Sequence, residues 1–185
     1  MKLQTITCST RPGRVGPSIS RWFNALANQE GGFESELVDL ADFNLPVYDE
    51  PSHPRLQKFE HQHTKAWSES VDNADAYVFV IPEYNFCPPP SFINALNYVY
   101  NEWTYKPCGF VSYGGVSGGL RSAQLAKQLV TAVKMMPMVE GVMIQMPWES
   151  LGNNREFIAS DHHTSSANTM LVELARWAKA LKALR

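Results

Sequence analysis

Five consecutive strand formers, Tyr77-Val-Phe-Val-Ile81, run into Pro82 and then Glu83-Tyr-Asn85. A run that is β-branched or aromatic at every position has no polar side to turn to water. It predicts a strand covered on both faces, the central strand of a parallel sheet. Proline has no N–H with which to continue a ladder, so the strand is expected to stop at Pro82. Pro88-Pro-Pro90 stiffen the loop that follows, and a helical pattern begins at Ser91. The chain thus leaves the carboxyl end of a buried strand and places polar and aromatic groups at the edge where open α/β sheets bind ligands.

The rest of the chain supplies the other layers. Leu3 to Cys8 reads as a first strand, and Ser9-Thr-Arg-Pro-Gly-Arg-Val-Gly16 as a loop punctuated by proline and glycine. Pro17 and Ser18 start a helix, with serine as its cap. Ile19, Trp22, Phe23, Leu26 and Ala27 fall at helical spacing along it, and Gly31-Gly32 ends it. Glu34 to Leu40 is a second strand, and residues 41–54 are irregular. Leu56 to Asp75 reads as a helix. So do the segments marked by Phe92, Leu96, Val99, Tyr100 and Trp103, by Leu120 to Val133, and by Ser165 to Leu184. Cys108 to Tyr113 and Val139 to Met146 are further strands. This alternation predicts one α/β domain, residues 1–185, built on a doubly wound parallel sheet.

Composition narrows the function. A net charge of −2 over 185 residues gives no pull toward nucleic acid or an anionic membrane. No apolar run reaches the length of a membrane-spanning helix, and the start reads as a strand, not a signal peptide. Cys8, Cys87 and Cys108 are too few and too scattered for a disulfide framework or a zinc site, so a cytoplasmic protein with reduced thiols is expected. The five histidines lack metal-ligand spacing, and His162-His163 is expected to begin the last helix.

Three strand-to-helix loops share the carboxyl edge of the predicted sheet. In the first, the hydroxyls of Ser9, Thr10 and Ser18, glycine-permitted amides and Arg11 converge on a helix N-terminus. That donor set holds a phosphate; the alternative is a capped helix beside a solvated arginine. Arg14 reads as a solvated charge. In the second, Pro82 to Phe86, backbone amides and Asn85 suit the polar edge of a flat ligand, with Tyr84 or Phe86 as aromatic surface. An ordinary turn with Glu83 facing water is the alternative. In the third, Tyr113 to Gly119, glycines permit close backbone approach to a ligand. Gly115-Val-Ser-Gly-Gly119 also fits a nucleophile elbow, and Ser117 with Asp161, His162 or His163 makes a serine-hydrolase alternative. Asp161 and His162 are adjacent, however, and hardly serve one relay.

Taken together, Cys8-Ser-Thr-Arg-Pro-Gly-Arg14, Pro82-Glu-Tyr-Asn-Phe86, Asn94-Ala-Leu-Asn-Tyr98 and Val111-Ser-Tyr-Gly-Gly-Val-Ser-Gly-Gly-Leu-Arg121 resemble the NADPH-dependent FMN reductase family of the flavodoxin-like superfamily. That family includes quinone, chromate and azo-dye reductases, and the likeness runs over nearly the whole chain. The resemblance implies a flavodoxin-like five-stranded sheet of order 2-1-3-4-5 with FMN across its switch point. It implies that Ser9, Arg11 and Ser18 hold the FMN phosphate. Pro82, Glu83, Tyr84 and Asn85 then flank the isoalloxazine, and Ser112, Tyr113, Gly114, Gly115 and Gly118 form the other wall. It further implies hydride transfer from NADPH or NADH to FMN and ping-pong delivery to a quinone or similar small acceptor, with no side chain acting as acid or base. A homodimer or homotetramer is implied as well, with Phe92, Tyr100 and Trp103 suited to its interface. Two positions depart from the family pattern. Pro90 stands where glycine is common and Ile93 where lysine is common, which bears on the acceptor and the interface. A non-enzymatic flavodoxin-type electron carrier is the competing reading; such carriers are usually strongly acidic, unlike this chain.

Overall fold

The computed structural model describes residues 1–30 and 32–185. Along them run β1 (Lys2–Thr7), α1 (Gly16–Glu30), β2 (Glu34–Asp39), α2 (Gln62–Asp72), β3 (Ala76–Pro82), α3 (Pro90–Tyr98), β4 (Pro107–Gly114), α4 (Leu120–Ala132), β5 (Met136–Gln145) and α5 (Asp161–Leu181). All strand pairings are parallel, in the order 2-1-3-4-5.

Strand β3 is buried at all seven positions. Its period of two divides the core. Tyr77, Phe79 and Ile81 pack with Trp67, Phe92, Trp103 and Val130 on the face covered by α2, α3 and α4. Ala76, Val78 and Val80 pack with Ile19, Phe23, Leu171 and Leu174 on the face covered by α1 and α5. The apolar stripe expected on α1 is the one that is buried.

Strand β3 stops at Pro82, as expected, with the proline itself as its last paired residue. Pro82 pairs with Tyr113, and the next amide, Glu83 N, still donates to Tyr113 O at 3.0 Å. The alternation that aims Val80 O at Cys8 N turns the nitrogen of Pro82 toward the β1 side, beyond the last rung, where no N–H is needed. Strand β5 starts three residues earlier than expected; Pro137 is tolerated because β5 is an edge.

Three helices also differ from expectation. Helix α2 begins at Gln62, not Leu56, because the buried carboxylate of Glu50 accepts from the amides of Glu60 (2.8 Å) and His61 (3.0 Å), while Gln57 adopts a left-handed conformation. Helix α3 stops at Tyr98, and Trp103 sits in a separate 3-10 turn, Asn101–Trp103. Helix α5 begins at Asp161, four residues before Ser165, through a capping box between Ser160 and His163. His162-His163 does begin that helix. Of the glycine pair expected to end α1, Gly31 lies outside the described residues, and Gly32 has φ +64°. Phe92 and Trp103, suited by resemblance to a subunit interface, are 2 % and 1 % exposed within the chain's own core.

At the amino edge of the sheet, Lys106 is nearly buried. Its ammonium donates to the last carbonyls of α2, Val71 O (3.2 Å) and Asp72 O (3.0 Å), and to Tyr77 Oη (3.1 Å). A cation at a helix C-terminus is favourably placed. Burial nevertheless pulls its pKa down to about 8.

Candidate functional site at the carboxyl edge

The three loops form one assembly, held by two polar clasps. The first joins β4 to the loop after β1. Tyr113 Oη donates to Ser9 Oγ at 3.1 Å, and both side chains are buried. Burial pushes the Tyr113 phenol well up, so it stays protonated and remains a donor. Gly16 closes over this pair: a Cβ there would lie 2.5 Å from Ser9 Oγ and 2.7 Å from Tyr113 Oη. The start of α1 therefore rests directly on the Ser9–Tyr113 bond.

The second clasp centres on Glu83, whose side chain is 7 % exposed. One carboxylate oxygen accepts from Arg121 Nε at 2.8 Å. The other accepts from Ser117 Oγ at 2.8 Å and from the Arg121 amide, in the first turn of α4, at 3.1 Å. Burial alone would raise this carboxyl's pKa, but the bonds from Arg121 and Ser117 outweigh it and hold the group below the usual carboxylate value. Glu83 does not face water; it ties the second loop to the third.

Beyond Glu83 the chain makes a two-residue turn. Tyr84 and Cys87 exchange both backbone hydrogen bonds at 2.9 Å, and Asn85 (φ +49°) and Phe86 (φ +70°) are both left-handed. This pairing is the type I′ pattern, which asparagine tolerates and phenylalanine resists. Phe86 is held outward, 63 % exposed, with the Arg121 guanidinium 3.9 Å from its ring centroid. Tyr84 is half-buried beside it.

In the third loop, Ser112 Oγ donates to Gly118 O at 2.9 Å and folds the loop back on β4. Gly119, at φ +80°, would bring a Cβ to 2.5 Å from Tyr113 N, so only glycine fits there. Gly114 is half-buried against Gly119 and Glu83, and Gly118 packs on β5. Gly115 is exposed, with nothing within 4 Å of a Cβ built on it. Ser117 is committed to Glu83, while His163 is committed to the Ser160 capping box. The hydrolase relay is not assembled.

The remaining expected residues lie in the first loop. Arg11 is exposed. Ser18 does not cap α1, which begins two residues earlier; its hydroxyl donates to Arg155 O at 2.7 Å. Arg14 is not a solvated charge. Its guanidinium forks onto both oxygens of Asp39, at 2.7 Å each, and also reaches Ser9 O. A cleft of about 730 Å³ opens on the β2 side of Thr10, lined among others by Leu40, Asn44, Tyr48, Ser91 and Asn94. It includes none of residues 82–86 or 113–119, so it adjoins the three-loop edge without being its centre.

The donor set at this edge fits FMN. A guanidinium, hydroxyls and a helix N-terminus stand at one end, and an open glycine backbone with aromatic surface from Tyr84 and Phe86 at the other. Among the described residues no group of three histidine, cysteine or acidic side chains is placed to hold a metal ion, and no helix is long and apolar enough to cross a membrane. Sequence reasoning missed Arg121, Asp39, Gly16 and Gly119. Arg121 and Gly119 lie inside the quoted motifs, so the signal was on hand; Asp39 offered none.

Comparison with known proteins shows the family and the fold. The family model for NADPH-dependent FMN reductase matches residues 1–149. A protein of Schizosaccharomyces pombe named an NAD(P)H-dependent FMN reductase is 40% identical over 136 residues, covering 72% of this chain and 68% of that one. A Nectria sp. protein of the same name is 38% identical over 140 residues, covering 72% and 70%. Among solved structures, the flavoenzyme NAD(P)H:(acceptor) oxidoreductase FerB of Paracoccus denitrificans superposes with a TM-score of 0.77 over 97% of both chains, at 18% identity. At that identity the likeness speaks to the fold alone.

Proposed function

The chain belongs to the NADPH-dependent FMN reductase family, an oxidoreductase family using flavin and a nicotinamide co-substrate, and on that premise we propose its specific reaction and site. FMN held at this edge would supply the hydride chemistry linking NADPH or NADH to a quinone or similar small acceptor, in a reaction of ping-pong order. The chain's own residues bind and orient. Ser9 and Arg11, with the amides that open α1, hold the phosphate, and Ser18 closes that end through its bond to Arg155 O. Pro82, Tyr84 and Asn85 lie along one side of the ring site. The backbone of Gly114, Gly115 and Gly118, with Tyr113 and Ser112 behind it, forms the other. Glu83 acts at one remove, by fixing the spacing of the two ring-site loops. No side chain of this chain is required as acid or base.

The observation that carries the reading is the pair of clasps, Tyr113 to Ser9 and Glu83 to Arg121, which present three loops of separate sequence origin as one rigid edge. The visible absorption spectrum tests it. The purified protein, given FMN and then NADPH without oxygen, is expected to show a flavin spectrum that bleaches; a colourless protein that takes up no FMN sinks the reading. Parallel double-reciprocal lines with a quinone support ping-pong turnover, and intersecting lines count against it. Steady NAD(P)H oxidation without a partner protein rules out a pure electron carrier.

We further infer a single domain over residues 1–185, working in the cytoplasm as a homodimer or homotetramer. The three free cysteines suit a reducing compartment, and the family resemblance supports the assembly. Light scattering at working concentration tests the latter, and a monomeric mass contradicts it.

A further inference from the structure

Beyond the residues matched by the family model, the chain makes a small hairpin whose tip touches the first loop. Leu151 bridges Phe157, Gly152 N donates to Glu156 O at 2.9 Å, and Arg155 N donates to Gly152 O at 2.9 Å. The hairpin is pinned to α1 at two points. Phe157, buried, meets Trp22 edge-on at 5.3 Å, and Arg155 O accepts from Ser18 Oγ at 2.7 Å. Arg155 itself is left-handed (φ +59°), an uncommon conformation for a residue of its size. That conformation turns its carbonyl to Ser18 while its guanidinium reaches across to Gly13 O at 3.2 Å.

The charges at this loop are unevenly matched. Of three guanidinium groups there, Arg14 is neutralised by Asp39. Among the described residues, neither Arg11 nor Arg155 forms an ion pair with a carboxylate. Two unmatched guanidinium groups beside a helix N-terminus, on a chain of net charge −2, are arranged for an anion. We propose that Arg155 is a further phosphate-binding residue, acting with Arg11 on a phosphomonoester held at the loop from Ser9 to Ser18. The inference rests on the flavin reading above and adds to it the hairpin's contribution. Two ligands of the reaction carry such a group: the 5′-phosphate of FMN and the 2′-phosphate of NADPH.

The test uses Arg155→Asn, which removes the guanidinium but keeps a residue tolerant of a positive φ, and Arg155→Lys, which keeps the charge. Each is titrated with FMN and with riboflavin, which lacks the phosphate, and assayed with NADPH and with NADH. Arg155→Asn is expected to weaken FMN binding about tenfold while riboflavin binding stays unchanged, with partial recovery in Arg155→Lys. If the phosphate served is that of the nicotinamide, FMN binding holds and the NADPH:NADH ratio of kcat/KM falls about tenfold, which supports the same role on the other ligand. Equal loss of FMN and riboflavin binding marks Arg155 as structural and overturns the proposal, as does a variant in which neither ratio moves. A wild-type chain that takes up no FMN overturns the flavin reading and this one together. Uptake by the wild type with unchanged ratios in Arg155→Asn overturns this one alone.

Discussion

Glu83 accepts from Arg121 twice, once from the side chain at 2.8 Å and once from the backbone amide at 3.1 Å. One carboxylate thus serves as an ion-pair partner and as an acceptor at the N-terminus of α4, joining segments 38 residues apart. Removing its charge is expected to loosen both connections. Glu83→Gln should cost about 1–3 kcal/mol in urea unfolding and weaken FMN binding, because the two ring-site loops lose their fixed spacing. A variant that unfolds at the wild-type midpoint and binds FMN normally would show the clasp to be dispensable.

The same carboxylate has a signature in pH. Its folded pKa is lowered, so it binds protons less readily when folded than when unfolded. Its contribution to stability is therefore fully present above the unfolded carboxyl value of about 4.3 and is lost as pH falls through the lower folded value. Unfolding midpoints from about pH 6 to about pH 3 should fall more steeply for the wild type than for Glu83→Gln. Parallel profiles would mean that the carboxylate contributes nothing through its charge.

Two glycines of one loop are expected to separate stability from binding. Gly119→Ala forces a Cβ to 2.5 Å from Tyr113 N at a positive φ, and should cost about 1–3 kcal/mol or more. Gly115→Ala meets nothing within 4 Å and should leave the unfolding midpoint unchanged, yet weaken FMN binding by crowding the open backbone. If Gly115→Ala binds FMN as tightly as the wild type, the ligand does not approach this side of the loop.

Lys106 provides a control remote from the site. Its pKa drops from the free value to about 8 on folding, so the folded chain gives up that proton before the unfolded chain does. Stability from this group rises as pH climbs from about 8 toward the unfolded lysine value of about 10.4. The difference in midpoint between wild type and Lys106→Met should therefore shift in favour of the wild type between pH values of about 7 and about 9.5. FMN affinity should be the same in both. A pH-independent difference would place Lys106 in a looser setting than its three hydrogen bonds describe.

What could be read from the residues alone was decided by range along the chain. Strand β3 was legible because every residue carries its own instruction to be buried. Helix α5 was legible as a helix and His162-His163 as its beginning, but the capping box was not, because nothing local shows that the His163 ring accepts from the Ser160 amide. Helix α2 was misplaced at its beginning because its terminus is set by Glu50, more than a turn upstream and across a proline-rich stretch. At the site, motifs located the loops, and glycine, proline and hydroxyl residues marked their chemistry. The directions of the side chains stayed hidden. Tyr113 and Ser9 are 104 residues apart, Ser18 and Arg155 are 137 apart, and no local pattern announces such pairs. Glu83 shows this most plainly: its place in the motif suggested a ligand contact, whereas its actual partners come from the next loop.

The turn at Asn85 and Phe86 sets stability against use. Glycine at position 86 would relieve a strain on the order of 1 kcal/mol, since a bulky residue gains nothing from a left-handed backbone. A laboratory selection for heat tolerance alone should therefore recover Phe86→Gly, and each survivor would have traded away the aromatic shelf beneath Arg121. Thermal adaptation of this chain and retention of the exposed ring at position 86 would then pull one codon in opposite directions.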